Sequence, residues 1–163
     1  MNFVEGTSRD ALGHIVIRSK VKSPPGRLDY EKLFWPSIEV GLPGWERAHS
    51  QGNITGRESP HGIRYAPKEV NQQFQRLGVE RFIKELFELK AADVELWLTT
   101  VTSTHPGTLR LKEIQYRLDV VRRGISKALF EASIEVENKT KVPRISISGR
   151  ERHAISEWER FVT

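Results

Sequence analysis

The stretch that decides the fold is Val94-Glu95-Leu96-Trp97-Leu98-Thr99-Thr100-Val101. Positions 94, 96, 98 and 100 alternate with 95, 97, 99 and 101, and a period of two is that of a strand with one face against a core. The same period returns downstream. After a His105-Pro106-Gly107 turn, Ile114, Tyr116, Leu118 and Val120 alternate with Gln115, Arg117 and Asp119. Ala128, Phe130, Ala132, Ile134 and Val136 then oppose Glu131, Ser133, Glu135 and Glu137, and Ile145 with Ile147 supplies a short last strand. Four such runs joined by turns predict an antiparallel sheet with one packed and one wet face.

Upstream of this stretch the period changes. Val70, Phe74, Leu77, Phe82, Ile83, Leu86 and Phe87 recur at three- and four-residue spacings, as on an amphipathic helix. Pro67 suits the first helical position, where its missing N–H is not needed. The helical segment is therefore read over 67–90, bent or split at Gly78. Residues 150–162 read as a closing helix with Ile155, Trp158 and Phe161 inward. The expected fold is α+β: an antiparallel sheet of about four strands, packed by the central helical segment and the C-terminal helix, in a single domain over 1–163.

The N-terminal part is less regular. Residues 15–21 alternate weakly as a short strand, ended by Lys22-Ser23-Pro24-Pro25-Gly26, where prolines remove ladder donors. Residues 29–34 suit one helical turn before Pro36. Residues 45–49 and 62–65 read as an outgoing and a returning strand around a polar loop, Ser50-Gln51-Gly52-Asn53-Ile54-Thr55-Gly56.

Composition narrows the chemistry. With 163 residues, 37% hydrophobic and 29% charged, the chain has the balance of an ordinary globular domain. No apolar run approaches the roughly 20 residues of a membrane-spanning helix, and no membrane partner is expected. The first residues, Met1-Asn2-Phe3-Val4-Glu5-Gly6, have neither the basic region nor the apolar stretch of a signal peptide. The chain has no cysteine, which removes disulfides, thiolate–metal sites and thiol nucleophiles. Twenty-six Lys and Arg against twenty-one Asp and Glu give a net charge of +5, which favours an anionic partner. A merely soluble basic protein would have the same balance.

Candidate chemistry gathers in Gly44-Trp45-Glu46-Arg47-Ala48-His49-Ser50-Gln51-Gly52 and Gly56-Arg57-Glu58-Ser59-Pro60-His61. Core packing does not explain loops of this composition, and binding groups concentrate on loops held by rigid elements. His49 titrates in the range where a general base works at neutral pH, and His61 is a second acid/base candidate. Glu46 and Glu58 suit orienting a histidine or binding metal. Arg47, Arg57 and Arg64 suit forked hydrogen bonds to phosphate, or are simply solvated. Trp45 reads as a packing anchor. His105 has the context of a turn residue with substrate contact as the alternative, and His14 and His153 lie in weakly patterned ends. Arg110, Lys112, Arg117, Arg122, Arg123 and Lys127 form the densest basic stretch, either a track for a phosphate backbone or a solvated face. No Walker loop, nucleophile elbow or zinc-protease motif occurs.

A strand ending in His49, a polar loop, a return strand and a helix bearing Asn71 resemble the ββα-metal nucleases. The resemblance implies His49 as general base on water, with Asn71 helping to hold one divalent cation, expected to be Mg²⁺. It also brings Glu80 near where nonspecific members place a glutamate. The chain departs from it in Glu46-Arg47-Ala48-His49, where the family has Asp-Arg-Gly-His, and in Glu58-Ser59-Pro60, where Glu-Asn-Leu is common. A second resemblance spans roughly residues 42–121. The string from Gly44 to Gly52, then Gly56 to Pro60, then Tyr65-Ala66-Pro67-Lys68-Glu69-Val70-Asn71-Gln72, with His105-Pro106-Gly107-Thr108-Leu109-Arg110-Leu111, is similar to bacterial polymorphic toxin C-terminal domains of type 4. That resemblance implies an antibacterial effector tip on a larger secretion-linked carrier, acting in the target-cell cytoplasm. It further implies an acidic cognate immunity protein and a nucleic-acid substrate.

The expected activity is hydrolysis of DNA or RNA phosphodiesters by His49. Three alternatives stand beside it. One is a metal-independent ribonuclease in which His49 and His61 share acid and base roles. Another is a toxin transferase acting on protein or nucleotide. The third is a non-catalytic nucleic-acid-binding module built on the basic stretch.

Overall fold

A computed structural model describes residues 5–22, 44–48 and 64–151, except for the side chains of 47, 71, 76, 77, 150 and 151. The strands are β1 (Gly6–Arg9), β2 (Ile15–Lys20), β3 (Trp45–Ala48), β4 (Arg64–Pro67), β5 (Val94–Thr104), β6 (Leu111–Arg122), β7 (Ile125–Val136) and β8 (Ile145–Glu151). The helices are α1 (Val70–Val79) and α2 (Glu80–Leu89). Six strands form one sheet in the order β1-β2-β5-β6-β7-β8, and β3 and β4 pair separately. Every pairing is antiparallel.

The period-two reading finds β5, β6 and β7, although a register shift between Leu118 and Asp119 puts Leu129 rather than Ala128 among the buried residues. Val94, Leu96, Leu98 and Thr100 of β5 are buried, as are Ile114, Tyr116, Leu118 and Val120 of β6. They face one core with Ile134 and Val136 of β7 and with Val70, Ile83 and Leu86 of the helices. The ladder Leu98↔Leu118↔Phe130 holds this face in register, since a slip of one residue would turn the apolar set to water. The helical segment packs as its spacing requires. Ile83 and Leu86 are buried, Phe74 and Phe87 flank the core, and the Phe82 ring meets that of Phe130 edge-on at 5.3 Å.

The winding changes within this segment. Val70–Val79 is a π-helix and Glu80–Leu89 an α-helix. At Gly78 a Cβ would stand 3.4 Å from the Gln73 carbonyl oxygen, five residues back. The expected bend is thus a change of winding within one continuous helical run.

The α+β expectation is corrected. Among the described residues the fold is mainly antiparallel β, with one short helical segment across a six-stranded sheet. Two things enlarge the sheet. The weakly patterned N-terminal part supplies both β1 and β2, whose pairing with β5 runs from Ile15↔Thr102 to Lys20↔Trp97. At the other end, the expected closing helix begins as strand. Gly149, Arg150 and Glu151 pair with Ala132, Glu131 and Phe130, so the β7 ladder keeps extended a segment read as helical from apolar residues further on. Residues 152–163, like the expected turn at 29–34, lie outside the described residues. Among the described residues no helix is long and apolar enough to cross a membrane.

Candidate functional site

The β1–β2 hairpin closes on Asp10-Ala11-Leu12-Gly13-His14. Asp10 Oδ1 accepts the backbone N–H groups of Leu12 and His14, both at 2.9 Å, an Asx turn that an aspartate forms with its own following chain. Gly13, at φ +80°, supplies the left-handed step that a side chain would strain. The other carboxylate oxygen, Oδ2, lies 3.3 Å from His14 Nδ1. Arg9 Nη1 donates to the Gly13 carbonyl at 2.8 Å. A short polar turn thereby fixes both an imidazole and a guanidinium.

Beside this turn lies a cavity of about 290 Å³, lined by Arg9, His14, Arg64, Ser103, Thr104 and Lys112 among others. Three elements meet there. Thr104 ends β5, whose register with β6 shifts between Ser103 and Thr104, an irregularity that re-aims side chains at a strand end. Lys112 comes from β6. Arg64 opens β4, which is tied to the β5–β6 turn by the Tyr65 N–H donating to the Leu109 carbonyl at 2.9 Å and by a bridge between Tyr65 and Arg110.

No carboxylate is among the described residues lining this cavity. Burial, and then the charge of Arg9, hold the Arg64 guanidinium below its ordinary range. Like charges gathered in a partly dry cavity stabilise an incoming anion. Ala48 pairs with Arg64 in the β3–β4 register, so the polar segment 49–63 leaves and rejoins the described fold at this point.

The sequence-predicted residues divide. His49, Arg57, Glu58 and His61 lie outside the described residues, as do the side chains of Arg47 and Asn71. β3 and β4 pair as expected, Arg47 opposite Tyr65, and Asn71 lies in the first turn of α1. Pro67, read as the first helical residue, instead ends β4 opposite Trp45. Glu46 is half-buried and accepts from Gln72 Nε2 at 3.3 Å, linking β3 to α1. Trp45 flanks the core and donates through Nε1 to the Thr140 carbonyl at 3.2 Å.

Of the candidates among the described residues, Arg64 lines the basic cavity, as does Lys112 of the basic stretch. Arg110 lines another, with 138–141. His105 is a buried turn residue whose Nε2 is 2.9 Å from the Val136 carbonyl. Burial lowers its pKa, aided by Arg110 and Lys112 and opposed by the Val136 hydrogen bond. Glu80 is buried, its charge felt by the buried Tyr116 hydroxyl. Among the described residues no group of three His, Asp or Glu is placed to hold a metal ion.

Three arginines of the basic stretch stand against carboxylates. Arg117 grips Asp119 through Nε and Nη2 at 3.1–3.2 Å and approaches Glu131, while Arg122 and Arg123 share Asp93. A larger cavity of about 460 Å³ on the outer sheet face includes Arg117 and Glu131, so its cation is answered by carboxylates. Sequence reading missed Arg9, Asp10, His14 and Lys112 as a group. The only local signal was Asp10 four residues before His14 with Gly13 between; the rest depends on strand pairing.

A family model described as bacterial toxin 4 matches residues 42–148. No curated protein and no solved structure matches. The match takes in Arg64 and Lys112 and covers well over half of the chain, which belongs to the bacterial toxin 4 family.

Proposed function

From its place in the bacterial toxin 4 family, we propose that this chain is an antibacterial effector domain that cleaves phosphodiester bonds of nucleic acid. The supporting observation is the cavity that gathers Arg9, Arg64 and Lys112 with no carboxylate among its described lining residues. A phosphodiester is a monoanion whose charge grows on the phosphoryl oxygens as the bond is attacked, and fixed cations there lower the barrier. Arginine adds paired donors that match two phosphate oxygens. His49, in the segment joined to Ala48, is the general base by resemblance. A divalent cation held with Asn71 would neutralise phosphate charge in that chemistry.

An immunity protein for such a domain would have to cover or neutralise this cationic cavity, which favours an acidic surface. Delivery on a larger carrier and action in the target-cell cytoplasm complete the reading.

The test is incubation of the purified domain with total RNA and with plasmid DNA, in magnesium and in excess chelator. Cleavage by the parent chain is expected, with a loss of at least about tenfold in R64A, since hydrogen bonds to charged groups contribute about 1.5–3 kcal/mol. No release of nucleotide fragments, or undiminished release by R64A, would sink the reading. Transfer of a labelled group to protein instead would point to a transferase.

A further inference from the structure

Resting on that reading, we infer that Arg110 and the connection between β7 and β8, residues 137–144, form a second phosphate-binding subsite. The substrate is then a polynucleotide strand held beyond the bond that is cleaved. The connection lines a cavity of about 480 Å³ with Asn138, Lys139, Thr140 and Lys141, together with Arg110. This cavity shares one stretch of backbone with the basic cavity already described. Arg110 lines the one and Lys112 the other, and Leu111 between them is fully buried. Two residues of extended chain put the Cα atoms of Arg110 and Lys112 about 6–7 Å apart, a step that neighbouring phosphates of a drawn-out strand can match. Arg110 also bridges to Tyr65, the residue after Arg64, so Arg64 and Arg110 lie on neighbouring backbones.

The connection is built rather than slack. The Glu137 N–H donates to the Arg144 carbonyl at 2.9 Å, and the Lys139 N–H to the Glu137 carbonyl at 2.8 Å. The Arg144 N–H donates to Glu137 Oε2 at 3.0 Å, and Trp45 Nε1 to the Thr140 carbonyl at 3.2 Å. Trp45 opens β3, the strand that leads into the polar segment, so this last bond fixes the connection beside the proposed site. The connection also holds Val142 at φ +48°, a left-handed backbone that a β-branched residue rarely takes. Val142 is 94% exposed, so core packing does not account for the strain, and strained backbone of this kind clusters at ligand sites. It sets an exposed apolar side chain next to Lys141, a pairing that suits a base beside its phosphate. Lys139 is paired with Glu137 at 3.1 Å, and Arg110 has contacts of its own within the fold. A guanidinium carries five N–H donors, enough for those contacts and for a phosphate oxygen. Arg110 and Lys141 are therefore the cations assigned to the strand.

The experiment compares the parent chain with R110A, K141A, K141R and R64A on a dinucleotide and on a single-stranded dodecamer, each made as RNA and as DNA, in magnesium. The parent is expected to cleave the dodecamer with a kcat/KM about 10²-fold above that for the dinucleotide, about tenfold for each of two charge-assisted contacts. R110A and K141A are each expected to narrow that preference about tenfold, mainly through KM. Each is also expected to make the salt slope of dodecamer binding shallower by about 0.7, a readout that a merely structural role would not move. K141R, which keeps the charge, is expected to keep the preference. A parent chain that cleaves both lengths equally well overturns the inference. An equal loss on both lengths in R110A and K141A also overturns it, because the effect then belongs to the fold. Preference and slope left unchanged by those two variants overturn it as well. In each of these cases the proposed function survives if R64A is impaired on the dodecamer. A parent chain that cleaves neither polymer removes both.

Discussion

At the scale of single residues, the two described histidines stand in different surroundings. His105, in a conspicuous His-Pro-Gly turn, is packed away with Nε2 on the Val136 carbonyl, while His14, in a segment with little pattern, lines the basic cavity. The difference is one of partners far along the chain, which no local spacing encodes. His105 also ties stability to pH. Burial lowers its folded pKa from the ordinary value of about 6.5, so the unfolded chain binds the proton more tightly. The stabilisation is complete above about pH 6.5 and is lost as pH falls through the folded value. Urea midpoints of the parent are expected to fall between about pH 7.5 and 5.5, and H105Q, which keeps a side-chain donor for Val136 without titrating, is expected to flatten that change. An equal fall in both proteins would assign the loss to other groups.

At the scale of elements, legibility followed burial. Strands β5, β6 and β7 were readable because each has one face in the core, which imposes the period of two on residues such as Leu96, Leu98, Ile114 and Leu118. Strand β1 is exposed along its whole length, so no alternation marked it. The end of β8 was misread for a related reason. Only cross-strand partners on β7 keep Arg150 and Glu151 extended. The helical segment was legible through its apolar stripe but not in its winding, because π and α turns differ by less than the width of that stripe. Ile83 is the test of the packing, being fully buried on α2 within the cluster that includes Leu96, Leu118 and Phe130. I83A is expected to lower unfolding free energy by about 2–5 kcal/mol, the range for a truncated core aliphatic, read by urea denaturation. A change within about 0.5 kcal/mol, as for a surface substitution, would mean that the helix is not seated on the sheet.

At the scale of the whole molecule, the net charge of +5 says less than its distribution. Arg117, Arg122, Arg123 and Lys20 each stand against a carboxylate, so much of the basic composition is neutralised within the fold. Arg9, Arg64 and Lys112 line one cavity. Among the described residues the candidate site was legible at Arg64 and, within the basic stretch, at Lys112. The rest appears once pairing brings the β1–β2 turn, the end of β5 and the start of β4 together. This distribution fixes how binding must respond to salt. Each phosphate neutralised on a single strand releases counterions, with a slope of about −0.7 in log affinity against log salt. The three cations of this cavity are expected to contribute about −2 to the slope for a 2′-deoxy strand, measured by fluorescence anisotropy over a salt series. R64A is expected to make the slope shallower by about 0.7, since it deletes one of those contacts. R117A is expected to leave it unchanged, because Asp119 and Glu131 already hold that guanidinium. If R117A shifts the slope as much as R64A, binding follows the overall charge and the cavity has no special claim on phosphate.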